Sequence, residues 1–112
     1  MGRRIVVTVC PREPGVVTLP VERGARAQRL DAAAVRRSLE ALVERRHLAG
    51  RVRFRDGCAG GCGQRGPNVG VMIYPPLRRG ERPDHVAIGW KTYVYSLDTL
   101  DCLARVLEDN LD

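Results

Sequence analysis

Aromatic residues, lysine and long apolar runs are all scarce in this sequence. Aromatic side chains make up 4% of the chain, with one Trp and one Phe, so we expect an aliphatic core. The longest apolar run, from Ile5 to Cys10, is interrupted by Thr8 and is far shorter than the roughly 20 residues of a membrane-spanning helix. The basic start, Met1 to Arg4, leads straight into this run without a small-residue cleavage site. These absences predict a cytoplasmic protein without a membrane segment.

Acidic residues are also in deficit. The chain has 19 Lys and Arg residues against 13 Asp and Glu, a net charge of +6, and Lys91 is its single lysine. Such an excess favours an acidic partner or a nucleic acid. Few aromatic side chains are available to stack on bases, so we expect an acidic redox partner protein and no nucleic acid. The arginines of the first two predicted strands can form a basic sheet surface or simply a solvated one: Arg3, Arg4, Arg51, Arg53 and Arg55.

Recognisable catalytic patterns are missing as well. No serine, histidine and acid arrangement and no paired carboxylates in a familiar context occur, so the protein is not expected to be an enzyme. Its 112 residues are close to the usual size of one domain, which predicts a single domain over residues 1–112.

The first half of the chain predicts a β-α-β unit. Residues 3–10 have the β-branched pattern of a strand buried on both faces, and residues 11–30, rich in Pro and Gly, are expected to form a long loop. Asp31 is the predicted N-cap of a helix whose apolar stripe is Ala34, Val35, Leu39, Leu42 and Val43. Its solvated side is expected to carry Arg36, Arg37, Arg45 and Arg46. Residues 51–55 alternate as a strand with one solvated face.

The second half predicts a glycine-rich loop, a β-hairpin and a final helix. The loop, residues 56–67, holds Cys58 and Cys62. Residues 69–74 and 86–90 are predicted strands that pair antiparallel, and the second can continue to Tyr95. Ser96 is the predicted cap of the last helix, whose buried stripe is Leu100, Leu103, Leu107 and Leu111.

Three of the four cysteines form a pattern typical of a metal or redox site. Without a secretory signal, a disulfide framework is a poor explanation of cysteines. The C-x3-C spacing of Cys58 and Cys62 in a glycine-rich loop allows two thiolates to converge on one metal centre. Cys10, at the carboxyl end of the first strand, can lie beside that loop because ligands favour this edge of α/β sheets. Cys102, in the last helix, is expected to pack as a small hydrophobic residue.

Over nearly its whole length the chain resembles the thioredoxin-like 2Fe-2S ferredoxins. The resemblance rests on Cys10 and on four segments: Cys58-Ala-Gly-Gly-Cys62, Arg65-Gly-Pro-Asn-Val69, Val71-Met-Ile-Tyr-Pro75 and Trp90-Lys-Thr-Tyr93. It implies an α/β, thioredoxin-like fold in which β-α-β is followed by a cysteine loop, a β-hairpin and a C-terminal helix. It also implies that Cys10, Cys58 and Cys62 bind the iron of a 2Fe-2S cluster, and that the protein transfers electrons or senses redox state.

One ligand of the family pattern is absent, because residues 11–30, where its second cysteine falls, contain no cysteine. Four explanations stay open. A non-cysteine side chain can complete the set, the candidates being Glu13, Glu22, His47 and His85. Two subunits of a homodimer can share a cluster through Cys58 and Cys62 of each. Three thiolates and a nitrogen also suit zinc. Finally, the cluster can be lost and the fold retained as an adaptor module that binds an acidic protein.

Overall fold

The computed structural model describes residues 3–12, 15–57, 67–74 and 88–111. This part of the chain is a mixed α/β structure. Its elements, in chain order, are β1 (Arg4–Val9), β2 (Val17–Leu19), β3 (Gln28–Leu30), α1 (Ala32–Arg45), β4 (Val52–Asp56), β5 (Asn68–Tyr74), β6 (Ile88–Tyr93), a 3₁₀ turn (Val94–Ser96) and α2 (Leu100–Asp109). None of the helices in these ranges is long and apolar enough to cross a bilayer.

A four-stranded mixed sheet in the order β4-β1-β5-β6 is the centre of the fold. β1 runs parallel to β4, with Val9 opposite Asp56, and antiparallel to β5, with Val9 opposite Val69. β5 and β6 are antiparallel. The predicted β-α-β unit and antiparallel strand pair are therefore confirmed. The bounds of β1, β4 and β5 lie within one residue of those expected, and β6 ends at Tyr93, three residues beyond Trp90.

The two helices cover one face of this sheet. Alternate residues Ile5, Val7 and Val9 of β1 are buried, and they join the apolar stripes of both helices in one hydrophobic cluster. On the other face of β1, Val6 is half-buried and Arg4 is exposed. Thr8 of that face is buried, so the expectation that β1 is buried on both faces is confirmed at Thr8. It is wrong at Arg4 and Val6, because the described helices pack on only one face.

α1 begins as predicted, but two of the arginines expected on its solvated side are paired with acids. The Asp31 side chain accepts a hydrogen bond from the Ala34 amide at 2.8 Å, which satisfies a free donor of the first turn. Arg36 pairs with Asp56 of β4, and Arg46, just beyond the helix, pairs with Asp101 of α2 at 2.9 Å. Both arginines are half-buried, so the prediction that they lie in solvent is wrong.

Residues 11–30 contain two short strands that were not predicted. β2 and β3 form an antiparallel ribbon in which Val17 lies opposite Leu30, and both side chains are buried in the core. Three-residue strands between Pro and Gly residues are too short for an alternating pattern to stand out. The segment after β2 then supports α2, since Pro20 O and Val21 O accept hydrogen bonds from the Leu100 and Asp101 amides at 3.1 and 2.8 Å.

The N-cap of α2 lies three residues beyond the predicted one. Thr99, not Ser96, is the N-cap, and its hydroxyl accepts a hydrogen bond from the Cys102 amide at 3.2 Å. The Ser96 hydroxyl instead donates to Tyr93 O at 2.6 Å. The four predicted leucines, Leu100, Leu103, Leu107 and Leu111, are all buried. The first three form the buried stripe of α2, and Leu111 lies two residues beyond the end of the helix.

Candidate functional site

Cys10 lies at the carboxyl end of β1, directly after Val9. Its side chain is a free thiol with 8% of its surface exposed. Thr8, two residues before it, is also buried, whereas Pro11 and Arg12 after it are exposed. The thiol is therefore held at the boundary between the core and the solvent at this edge of the sheet.

The end of β4 lies next to Cys10. The Gly57 amide donates a hydrogen bond to Val9 O at 3.3 Å, which continues the parallel pairing one residue beyond β4. A Cβ on Gly57 would lie 3.3 Å from Thr8 Cγ2, so a residue without a side chain permits this close approach. The chain thus leaves β4 beside the residue that precedes Cys10.

The start of β5 lies on the other side of β1 at the same edge. Pro67 and Asn68 are buried, Pro67 O accepts a hydrogen bond from the Val94 amide at 3.2 Å, and the next residue, Val69, lies opposite Val9. Cys58 and Cys62 fall outside the described residues. The segment that contains them is bounded by Gly57 and Pro67, which flank the end of β1 that carries Cys10.

Charged side chains surround this edge on the helix side. Arg36 of α1 bridges Asp56, the last residue of β4, and Glu40 on its own helix, with 3.1 Å between Arg36 Nε and Glu40 Oε1. A cleft between the start of α1 and the ends of β1 and β4 is lined by Val9, Pro11 and these groups. α1 therefore begins at the edge that carries Cys10.

Two of the candidate fourth ligands lie at the opposite end of α1. Glu22 pairs with Arg45, the last residue of the helix, and His47 follows the helix with a φ of 60°. The 14 residues of α1 span about 21 Å at 1.5 Å per residue. Neither side chain is therefore placed to share a metal with Cys10. The other two candidates, Glu13 and His85, fall outside the described residues.

Cys102 is exposed, so the prediction that it packs in the core is wrong. Its position on α2 is two residues from Leu100, which is about 200° around a helix and away from the buried stripe. The neighbouring residue, Asp101, contacts Arg46 just beyond the end of α1, so Cys102 lies on the far side of the fold from Cys10. Within the described ranges no three His, Cys, Asp or Glu side chains gather in a metal-binding group.

A basic surface on the open face of the sheet was only partly foreseen. Arg53 and Arg55 lie opposite Val6 and Thr8 and share that face with Arg4. Lys91 of β6 joins them, because Gly70, its neighbour on β5, lies opposite Thr8. The alternating pattern around Lys91 could have indicated its position on a strand. Only the strand order shows that Lys91 lies on the same face of the sheet as Arg4, Arg53 and Arg55.

Comparison with known proteins adds no relative. No family model matches the chain, and no curated protein or solved structure matches it. Function is therefore inferred from the chain's own residues and geometry.

Proposed function

We propose that the protein is a thioredoxin-like, ferredoxin-type domain that holds a 2Fe-2S cluster through Cys10, Cys58 and Cys62. It transfers single electrons or senses redox state and is not itself an enzyme. The observation that carries the proposal is the hydrogen bond from Gly57 to Val9 O. It places the residue before Cys58 beside the residue before Cys10, so thiols that are distant in sequence start from neighbouring strand ends.

The donor set fits an iron–sulfur cluster better than it fits other roles. Cysteine thiolates are the usual ligands of such clusters, and a bound 2Fe-2S cluster takes up and releases one electron at a time. The low exposure of Cys10 would shield its side of the site from water, and backbone amides of the glycine-rich loop would donate to sulfur. The order of elements around the site, β-α-β, cysteine segment, antiparallel strands and helix, agrees with the fold that the resemblance implies.

The positions of the candidate side chains reduce the number of residues that could be the fourth ligand of the cluster. With Glu22 and His47 at the far end of α1, a fourth ligand from this chain would be Glu13 or His85. Without a fourth ligand from this chain, two subunits can share one cluster, or the three thiolates can bind a zinc ion in place of the cluster.

The test is the metal content of protein purified and reconstituted without oxygen. We expect a coloured protein with iron and sulfide in equal amounts, and we expect Cys10→Ser, Cys58→Ser or Cys62→Ser to remove most of the colour. Cys102→Ser is the matched control and should keep it, because Cys102 is on the far side of the fold. Native mass measurement of the coloured protein would show whether one or two chains hold the cluster.

A protein that stays colourless and free of iron after reconstitution would overturn the proposal. If such a protein binds zinc, or no metal, while keeping its fold, the adaptor module that binds an acidic protein becomes the better explanation.

A further inference from the structure

The sheet face opposite the helices carries a coherent set of side chains. Because paired residues in neighbouring strands project to the same side, the registers of the four strands define this set. We call it the basic face: Arg4, Val6, Arg53, Arg55, Gly70, Met72, Tyr74, Gly89, Lys91 and Tyr93, together with the buried Thr8 and Asn68.

The charges of the basic face are of one sign. It has four cations and no carboxylate among its described residues. Arg53, Arg55 and Lys91 are exposed, and no carboxylate of the described residues pairs with any of these three. On the helix side, by contrast, Arg36 and Arg46 are each paired with acids. Among the described residues, no carboxylate therefore offsets the charge of Arg53, Arg55 and Lys91, and such a set of exposed cations attracts anionic partners.

The cations stand around a flat apolar centre. Arg55 and Lys91 occupy the two edge strands of one row, with Thr8 and Gly70 between them, which sets their Cα atoms about 14 Å apart at roughly 4.8 Å per strand. In the adjacent row, Arg53 lies beside Val6, Met72 and Gly89. A Cβ on Gly89 would meet Val71 O at 3.6 Å and Met72 Cγ at 3.8 Å, which are ordinary van der Waals contacts, and Gly89 itself is exposed.

The aromatic side chains of the basic face are not free stacking platforms. The Arg4 guanidinium lies 5.6 Å from the ring centre of Tyr74, and Lys91 Nζ lies 5.0 Å from that of Tyr93. Both rings are half-buried. A single-stranded nucleic acid would have to displace these cations to stack its bases, whereas Tyr, Met and Arg around an apolar centre are the residues enriched in protein interfaces.

A second copy of the chain is a poor binding partner for the basic face. Two copies meeting through this face would bring together the exposed Arg53, Arg55 and Lys91 of each copy, and like charges at close range oppose association. We infer that the basic face docks an acidic protein whose carboxylates meet Arg53, Arg55 and Lys91 around Val6 and Met72. It extends the proposed function by naming a docking surface, but it depends only on the sheet and not on a bound cluster.

The size of the basic face indicates a transient complex. β5 has seven residues, so the sheet measures about 20 by 20 Å at the usual strand spacings. This gives about 400 Å² per partner, or about 800 Å² in total, which is the low end of specific interfaces, where electron-transfer encounters are found. Binding should therefore weaken strongly as salt increases.

The experiment measures binding of poly-L-glutamate of about 20 residues to the full-length protein, by amide chemical shifts and by titration at low salt. We expect shifts concentrated on the basic face. The double variant Arg53→Gln/Lys91→Gln should weaken binding about five- to tenfold. The matched control, Arg37→Gln/Arg105→Gln, removes two exposed charges from the helices and should weaken it less than about twofold.

Three results would overturn the docking surface. One is an equal loss in both double variants, which would mean that only net charge matters. Another is the absence of binding at low salt. The third is tighter binding of an oligothymidylate of the same length with shifts on the same residues, which would identify a nucleic-acid surface. None of them bears on the colour and iron of the reconstituted protein, so this inference and the cluster proposal fail separately.

Discussion

At the scale of the residue, helix ends depend on which side chain reaches which amide. Asp31 lies directly before the apolar stripe of α1 and caps it, as the sequence indicates. Ser96 lies in a 3₁₀ turn and its hydroxyl donates to Tyr93 O, and the backbone is extended at Leu97 and at Thr99 before the helix begins. A run with several capping residues, such as Ser96, Asp98 and Thr99, cannot by itself select one of them, because all have the required chemistry.

The N-cap of α2 is testable with two matched substitutions. Thr99→Ala should lower the free energy of unfolding by about 1 kcal/mol, because the Cys102 amide loses its acceptor at the start of the helix. Ser96→Ala removes a hydroxyl of the same kind from an exposed position and should cost less than about 0.5 kcal/mol. Urea denaturation measures both. Equal losses, or a larger loss at Ser96, would contradict the assignment of Thr99.

At the scale of the element, the side chain of Arg46 links α1 to α2, and the sequence pattern of neither helix predicts this contact. Arg46 donates to Asp101 through Nε and Nη2 and to Glu108 through Nη1 at 3.3 Å. In sequence it is one of a pair of arginines at the polar end of α1. Its partners are contributed by α2, more than fifty positions away, so the ion pair is a consequence of helix packing and not of the local pattern.

A double-mutant cycle between Arg46→Ala and Asp101→Ala should give a coupling of about 1 kcal/mol, because the pair is half-buried and makes several charge-assisted bonds. The control is the pair of Arg45 and Glu22, whose side chains are 64% and 43% exposed against 24% and 32% for Arg46 and Asp101. Exposed pairs contribute little, so a coupling of about 0.3 kcal/mol is expected. A control coupling as large as that of Arg46 would contradict this explanation.

At the scale of the whole molecule, the layered arrangement decides what each face of the sheet does. One face is sealed by both helices, and the other holds the basic face. β1 is the strand where the difference is sharpest, because Val7 is completely buried while its neighbour Val6 is half-buried between Arg53 and Met72. A shift of one residue in the register would exchange the two.

The same substitution on both sides of the sheet tests this layering. Val7→Ala should lower the free energy of unfolding by about 2–3 kcal/mol, because it leaves a cavity among packed residues. Val6→Ala should cost less than about 1 kcal/mol, because solvent can fill the space. Thermal or urea unfolding of the two variants provides the comparison. Similar losses would mean that both faces of β1 are packed, as its sequence alone suggests.

The strands around the candidate site could be predicted from the sequence, but the contact between their ends could not. The β-branched run before Cys10 and the alternation after Arg51 identify β1 and β4, since both patterns are local. That Gly57 donates to Val9 O depends on the register of two strands more than forty residues apart. β2 and β3 were missed because each is three residues long and becomes a strand only through pairing with the other.

By itself, the sequence determined the order of the main strands and helices, the leucine stripe of α2, the excess of positive charge and the inventory of thiols. These follow from periodicity, capping chemistry and composition, which act between residues a few positions apart. Only the tertiary structure decided which face of β1 is covered, which arginines are neutralised, that Cys102 is exposed, and that Gly57 bonds to Val9, the residue before Cys10. These depend on contacts between distant elements, whose free energy no local pattern contains.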